Sequence, residues 1–267
     1  MVFGDFMVPL PSLFLWCTAA VALAILGFFV SIKCLKPVDV EKHGSFLNAT
    51  LTIVGTLVAI LLGLLVSNSV EYYDSVETNA MAEATTLGQV FRLTEGLPDQ
   101  PKFVIRELCE KYNASIMNEE WPAMEKDQMS SNSELTYGHL SNAIISFRSS
   151  NNSESNIQNA LITAVLNLGD YRRRRDMALE STWSDRILPV LLGCAAIVLV
   201  YTFLFTRREE RFLHALLVCF VACTLGANIG MTFLLRRPFS NSWKIAPSGF
   251  QLNMRLFDLY KSKGELK

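Results

Sequence analysis

Four long apolar segments alternate with polar ones along the chain, near residues 13–32, 48–70, 187–206 and 215–235. Each is long enough to cross a hydrocarbon core about 30 Å thick as an α-helix. The first segment has no basic residues ahead of it and no small-residue cleavage site, so we expect a retained helix and not a signal peptide. The pattern predicts an all-α, multi-pass integral membrane protein whose first partner is the lipid bilayer.

The order of these segments predicts two membrane hairpins on either side of an extramembrane insert. We expect hairpins over 1–70 and 187–235, a helical insert over 71–186, and a C-terminal tail over 236–267. Four crossings place both termini and the insert on one side. Lysines and arginines occur on both sides in similar numbers, so the positive-inside rule selects no orientation and no particular membrane.

The insert has the apolar spacing of helices throughout. The second span is expected to continue as one helix to about Gly96 and Pro98, and Asp99 is expected to cap the next helix. That helix would carry Val104, Leu108 and Tyr112 on its apolar side, and a third would carry Leu140, Ile144 and Phe147. The polar segment 149–155 is predicted to be a loop, and the helix after it is expected to run through 171–183 into the third span.

The second span separates its small and polar residues from its large apolar ones. At 100° per residue, the small and polar residues fall within about 120° of the helix circumference. They are Asn48, Thr52, Gly55, Thr56, Ala59, Gly63 and Ser67. This face must meet either another helix or a water-filled path. In the packing alternative its partner is the first span, through Thr18, Ala19, Ala22 and Gly27.

Composition narrows the classes of function. The chain has 267 residues, 51% of them hydrophobic and 18% charged, with net charge −1. We therefore expect no nucleic-acid partner. The three histidines are far apart, and the six cysteines form no C-x-x-C pair, so we expect no metal and no cofactor. No catalytic motif is recognisable, and we expect a protein that is not an enzyme.

Several polar or small residues could have either a structural or a functional role. Gly226, Asn228 and Gly230 form a G-x-x-x-G pattern in the fourth span, which favours close helix packing over an ion path. Glu83 lies near an apolar stripe and needs a partner, for which an arginine of the last insert helix is a candidate. The four arginines of 172–175 are expected to be solvated near lipid headgroups, with attraction of anions as the alternative. Arg236 and Arg237 are expected to anchor the helix end at the membrane surface.

Together, several segments resemble the bestrophin-like domain family over nearly the whole chain. The matching positions are Glu83-Ala84-Thr85-Thr86-Leu87-Gly88, Leu97-Pro98, Glu120-Trp121-Pro122, Leu188-Pro189, Arg237-Pro238-Phe239 and Ala246-Pro247. Arg236 departs from the family pattern, which tends to have an acidic residue before the Arg-Pro-Phe. Bestrophins are pentameric anion channels with a pore lined by their second span. The phenylalanine cluster and the calcium clasp of bestrophins are not recognisable here.

The resemblance implies a homo-oligomeric channel that passes anions or small solutes. In that interpretation the residues lining the pore are Asn48, Thr52, Thr56, Ala59, Gly63 and Ser67, whose hydroxyls partly replace ion hydration. The alternative is a non-conducting scaffold or signalling protein whose helical insert binds a partner.

Overall fold

The computed structural model describes residues 10–34, 40–128, 130, 132–179, 183–204 and 211–262. Throughout these residues the regular structure is helical, which confirms the all-α prediction. A 3-10 turn, Thr94–Gly96, follows the second helix, and a π-helical turn, Ile116–Glu120, joins the third helix to the fourth. The α-helices are α1 Leu10–Cys34, α2 Val40–Leu93, α3 Asp99–Ser115, α4 Trp121–Met124, α5 Asn132–Ser146, α6 Asn152–Leu179, α7 Trp183–Leu204, α8 Arg211–Leu235 and α9 Ser248–Ser262.

Four helices are long and apolar enough to cross a membrane. The candidate spans are Pro11–Lys33, Arg186–Leu204, Arg211–Leu235 and a part of Gly44–Gly96. The last belongs to α2, a helix of 54 residues that continues far beyond the length a bilayer requires. The expectation of one continuous helix from the second span to the neighbourhood of Gly96 is therefore confirmed.

The chain divides into two compact units. The first contains α1, the part of α2 up to Tyr73, α7 and α8. Its larger apolar core joins three helices, with Val58 and Leu62 of α2, Leu191 and Ala195 of α7, and Leu225 and Ile229 of α8. A smaller core joins Ala24 and Phe28 of α1 to Val218 and Ala222 of α8. The alanines among these residues let the helix backbones approach closely where they lie.

The second unit contains the rest of α2, α3 to α6, and α9. Its core is formed by residues at helical spacing, such as Leu87 and Phe91 of α2 and Leu161, Val165 and Leu168 of α6. The segment 236–267, predicted to be a tail, contributes α9 to this core. The rings of Phe91 and Phe257 lie 4.6 Å apart, centroid to centroid, and Asn253 Nδ2 donates to the Ala84 carbonyl at 2.7 Å.

Several local expectations for the insert need correction. Asp99 is the first residue of α3 and not its cap, since Pro98 holds the cap position. Val104 is exposed, whereas Tyr112 is fully buried. Phe147 follows the end of α5. A continuous helix is predicted through residues 180–182 into the third span, but these residues lie outside the described ones.

The predicted polar loop 149–155 is shorter than expected, because α6 begins at Asn152. Asn151 Oδ1 accepts a hydrogen bond from the Glu154 backbone N–H at 2.9 Å. Glu154 in turn accepts from the Ser150 backbone N–H at 2.7 Å. The first bond satisfies a donor that a helix N-terminus leaves unpaired, and the second ties the preceding residue to the same turn. The end of the polar segment therefore folds as the first turn of the helix.

Candidate functional site

The membrane-length part of α2 has three faces in the structure. One face packs within the first unit through Val54, Val58, Leu62 and Leu65. The second is apolar and exposed, with exposed fractions of 62% at Ile53, 64% at Leu57, 56% at Ile60 and 65% at Leu64. The third is the face of small and polar residues predicted from the sequence. The apolar residues of the second span thus divide between a face packed in the chain and a face open to lipid or to another chain.

The small and polar face of α2 is exposed in the single chain. Asn48, Thr52, Thr56, Ala59, Gly63 and Ser67 all lie on the surface. A Cβ built at Gly55 or Gly63 meets no atom of the described residues within 4 Å. The packing alternative, in which this face lies on the first span of the same chain, is therefore wrong for the described residues.

The first span packs instead on α8, at the G-x-x-x-G pattern. A Cβ built at Gly226 would lie 2.6 Å from the Ala20 Cβ, and one built at Gly230 would lie 2.7 Å from the Trp16 Cβ. Asn228 Nδ2 donates to the Thr224 carbonyl of its own helix at 2.8 Å. The two glycines lie at a tight helix crossing, and Asn228 bonds locally.

Arg236 is expected from the sequence to anchor the helix end at the membrane surface. In the structure it is instead buried, directly after the end of α8. Its Nε donates to Ser69 Oγ at 3.2 Å, and its Nη2 donates to the side-chain oxygen of Asn68. The guanidinium lies over the Tyr72 ring at 4.6 Å from the ring centre. This residue, which departs from the family pattern, therefore connects the end of α8 to the polar end of the span in α2.

A buried ionic cluster lies in the second unit around Arg175 of α6. Arg175 Nε donates to Glu83 Oε2 at 2.7 Å and Nη2 donates to Glu83 Oε1 at 3.2 Å, which makes a bidentate pair. Nη1 lies 3.0 Å from Glu120 Oε1. Both Arg175 and Glu83 have fully buried side chains. The arginine partner expected for Glu83 is thus Arg175, and a second carboxylate shares it.

A neutral donor, the Tyr112 hydroxyl, also binds the buried Glu83 carboxylate. Tyr112 O–H donates to Glu83 Oε1 at 2.7 Å. Burial raises the pKa of Tyr112 well above its usual range, and the neighbouring Glu83 carboxylate raises it further, so the phenol remains a donor. Burial opposes the charge on Arg175, but the carboxylates of Glu83 and Glu120 outweigh it and hold the pKa of Arg175 well above its usual range.

The four arginines of 172–175 divide between two environments. Arg173 and Arg174 are exposed, as expected for a solvated helix. Arg172 is buried and pairs with Glu134, with Ser133 Oγ at 3.1 Å and with Asp176 at 3.4 Å. The expectation of solvated side chains is therefore wrong for Arg172 and Arg175. The positions of these two arginines in the sequence indicate their burial. The buried stripe of Leu161, Val165 and Leu168 continues, in steps of four and three residues, to Arg172 and Arg175.

Two further family-motif positions, Trp121 and Phe239, belong to an aromatic cluster in the second unit. Trp121 Nε1 donates to the Ile245 carbonyl at 3.2 Å. The Trp121 ring lies 5.6 Å from Phe239 and 5.9 Å from Phe250, and the Arg175 guanidinium lies 5.9 Å from its centre. The Pro238 carbonyl accepts from the Ile245 N–H at 2.8 Å. In the first unit, Arg237 lies over the Phe233 ring at 4.8 Å.

The described part of the chain contains no recognisable metal site. There, no group of three or more His, Cys, Asp or Glu side chains is arranged to hold a metal ion. Two features of the described residues could act on a solute: the exposed polar face of α2 and the charged groups of the second unit.

The fold is that of an all-helical protein with four helices of membrane length. A family model described as the Bestrophin-like domain matches residues 18–250, so the chain belongs to the Bestrophin-like domain family. The resemblance inferred from the sequence motifs is thereby confirmed.

Solved structures show the same fold. The chain is similar to two crystal structures of a bacterial bestrophin homologue from Klebsiella pneumoniae, each with one point mutation. One has a TM-score of 0.67 at 12% identity and covers 91% of this chain and 99% of that chain. The other has a TM-score of 0.61 at 13% identity and covers 93% and 99%. A comparison with curated proteins finds no match.

Proposed function

We propose that the protein is a multi-pass membrane channel, and not an enzyme, assembled from several copies of the chain. Its four apolar helices span the bilayer as two hairpins, with the helical insert outside the membrane. Anions or small solutes pass along a pore lined by the small and polar face of α2. The partners are the lipid bilayer, further copies of the chain and the conducted solute.

The observation that carries this proposal is the exposure of the polar face of α2 in the single chain. Hydrocarbon solvates hydroxyl and amide groups poorly. Thr52 Oγ1 donates to the Asn48 carbonyl of its own helix at 2.8 Å, but a continuous face of small and polar residues at membrane depth still favours protein or water beside it. In the described residues the chain itself does not cover this face. Copies arranged around a central axis would turn it toward a water-filled path, while the exposed apolar face meets lipid or a neighbouring copy.

Family membership and fold similarity support the proposal. The resemblance implies a pore lined by the second span, and the polar face occurs in that span. Similarity of fold does not transfer function, so the inference depends on the residues of α2 and not on kinship alone. Hydroxyls and small residues without fixed charge would form a permissive path.

The test is halide flux into liposomes that contain the purified protein. Thr56→Phe and Gly63→Phe place a ring on the polar face and are expected to lower flux by about tenfold or more, because the ring narrows the path. Both positions are exposed, so the fold should tolerate the change. Leu57→Phe and Leu64→Phe place the same ring on the adjacent exposed apolar face and are expected to leave flux unchanged.

Assembly is measured in parallel by the size of the detergent-solubilised complex. Flux that persists in correctly assembled Thr56→Phe and Gly63→Phe proteins would contradict a pore on this face. Flux that falls equally in all four variants would contradict the assignment of the pore lining to the polar face of α2 alone.

The alternative is a non-conducting scaffold whose insert binds a partner. An open groove in the second unit favours it, since α2 and α6 line this groove with Thr78, Ala82, Gln89, Asn167 and Tyr171. Correctly assembled wild-type protein that gives no halide flux over a range of pH and calcium concentrations would favour this alternative.

A further inference from the structure

The ionic cluster of the second unit contains more carboxylates than cations. Arg175 is shared by Glu83 and Glu120, which are both fully or almost fully buried. Arg172 is shared by Asp176 and by the mostly exposed Glu134. A buried cluster with surplus negative charge is costly, because desolvation penalises every charge that lacks its own partner.

The hydrogen bonds of the cluster are also incomplete. Among the described residues, the buried Glu120 Oε2 has no hydrogen-bond partner, and neither has the buried Arg172 Nε. Asp176 approaches Arg172 only to 3.4 Å, beyond the length of a good charged hydrogen bond. A proton bound to one carboxyl would remove one of the surplus negative charges, and it would supply an O–H donor, the kind of partner that Glu120 Oε2 lacks.

Asp176 is the carboxyl best placed to take up this proton. Its side chain is 25% exposed, so protons reach it from solvent, whereas Glu83 and Glu120 are enclosed. Burial raises the pKa of Asp176 to about 6; Arg172 and Arg175 oppose the rise, and Glu120 and Glu83 add to it.

We propose that the cluster is a reversible proton-binding site centred on Asp176, and that it makes the second unit sensitive to pH. The charged groups around the site are Arg172, Arg175, Glu83, Glu120 and Glu134, with Tyr112 as a neutral donor. With the proton bound, Asp176 is neutral and Arg172 pairs with Glu134 alone. The negative charge of Asp176 then no longer adds to those of the buried Glu83 and Glu120, which share Arg175. Without it, Asp176 repels the buried glutamates and weakens the attachment of α6 to α2 and to the turn that carries Glu120.

The direction of the pH effect follows from proton linkage. The pKa of Asp176 is higher in the folded protein, at about 6, than its ordinary value of 3.8. Between these values the folded state binds more protons than the unfolded state, so stability falls as pH rises. The stabilisation is complete below the ordinary value and is lost above about pH 6.

The test is the melting temperature of the purified full-length protein at a series of pH values. Wild-type protein is expected to lose several degrees between about pH 5 and about pH 7. Asp176→Asn, which mimics the protonated carboxyl, is expected to be flat across this window and more stable than wild type at neutral pH. Asp170→Asn, an exposed aspartate on the same helix, should follow the wild-type curve.

Parallel curves for wild type and Asp176→Asn would overturn the proposal. An Asp176→Asn protein that does not fold would also overturn it, because the neutral side chain is the form that the fold should prefer. A second arm measures halide flux against pH, and it alone rests on the proposed function. If the protein conducts, flux should change across the same window in wild type and not in Asp176→Asn. If it does not conduct, the melting curves still decide the proton-binding site.

Discussion

Arg172 and its neighbours show that consecutive identical residues in one helical turn can lie in different environments. Of four consecutive arginines, Arg173 and Arg174 are exposed while Arg172 and Arg175 are buried. The difference arises from position on the helix, since residues three and four apart share a face. A charge density read from sequence alone would assign all four to solvent. The two buried side chains instead hold α6 against carboxylates of other elements.

Removing the shared cation should therefore cost far more than removing an exposed one. Arg175→Met is expected to lower the free energy of unfolding by about 3–5 kcal/mol, because it leaves Glu83 and Glu120 buried without their cation. Arg174→Met, one position earlier on the exposed side, should change it by less than about 0.5 kcal/mol. Chemical denaturation of both proteins in the same detergent measures the difference, and equal losses would contradict the role given to Arg175.

At the scale of helices, the sequence predicts much of the fold because apolar periodicity is strong where helices cross a membrane or face a core. The continuation of α2 to Leu93 and the four membrane-length helices follow from it directly. Asn151 and Glu154 show what periodicity misses, since their capping bonds turn the end of a polar segment into a helix. Exposure of the α2 face could not be predicted, because a small and polar face suits a packed helix and a pore equally well.

The crossing of α1 and α8 depends on the absence of side chains at two positions. Gly226→Ala is expected to lower the melting temperature, since its Cβ would lie 2.6 Å from Ala20 Cβ and 3.1 Å from the Trp16 carbonyl oxygen. Gly193→Ala on α7 is the matched control, because a Cβ there meets no atom of the described residues within 4 Å. It should be neutral or slightly stabilising, since alanine favours a helix over glycine. A loss at both positions would contradict the crossing.

At the scale of the whole molecule, each unit combines parts of the chain that are far apart in sequence. The first unit brings the first helices together with α7 and α8, and the second brings the central insert together with α9. The segment 236–267 is predicted from the sequence to be a tail, but α9 within it is an amphipathic helix. Its Phe250, Asn253 and Phe257 are buried in the second unit, whereas Leu252 and Leu259 on the other side are exposed.

Solute selectivity is a property of the proposed assembly, and the charges along α2 lead to a prediction. Asp74 follows Ser67 by seven residues and Glu77 follows Gly63 by fourteen, so helical periodicity places both on the polar face. Both are exposed. Carboxylates at a pore mouth repel anions. Asp74→Asn combined with Glu77→Gln is expected to raise halide flux severalfold in the liposome assay, whereas Glu107→Gln, an exposed glutamate of α3, should leave it unchanged. Unchanged flux in the double variant would place these carboxylates away from the path.

The open space beside Gly63 has a consequence for how such a protein can diversify. A side chain added there meets nothing in its own chain, so its size is free of the constraints that the apolar core imposes on Val58 and Leu62 a few residues earlier. If the polar face lines the pore, its calibre can be altered by single substitutions at Gly63 without loss of folding. Conduit width and fold stability would then be inherited as separate traits, each open to selection on its own.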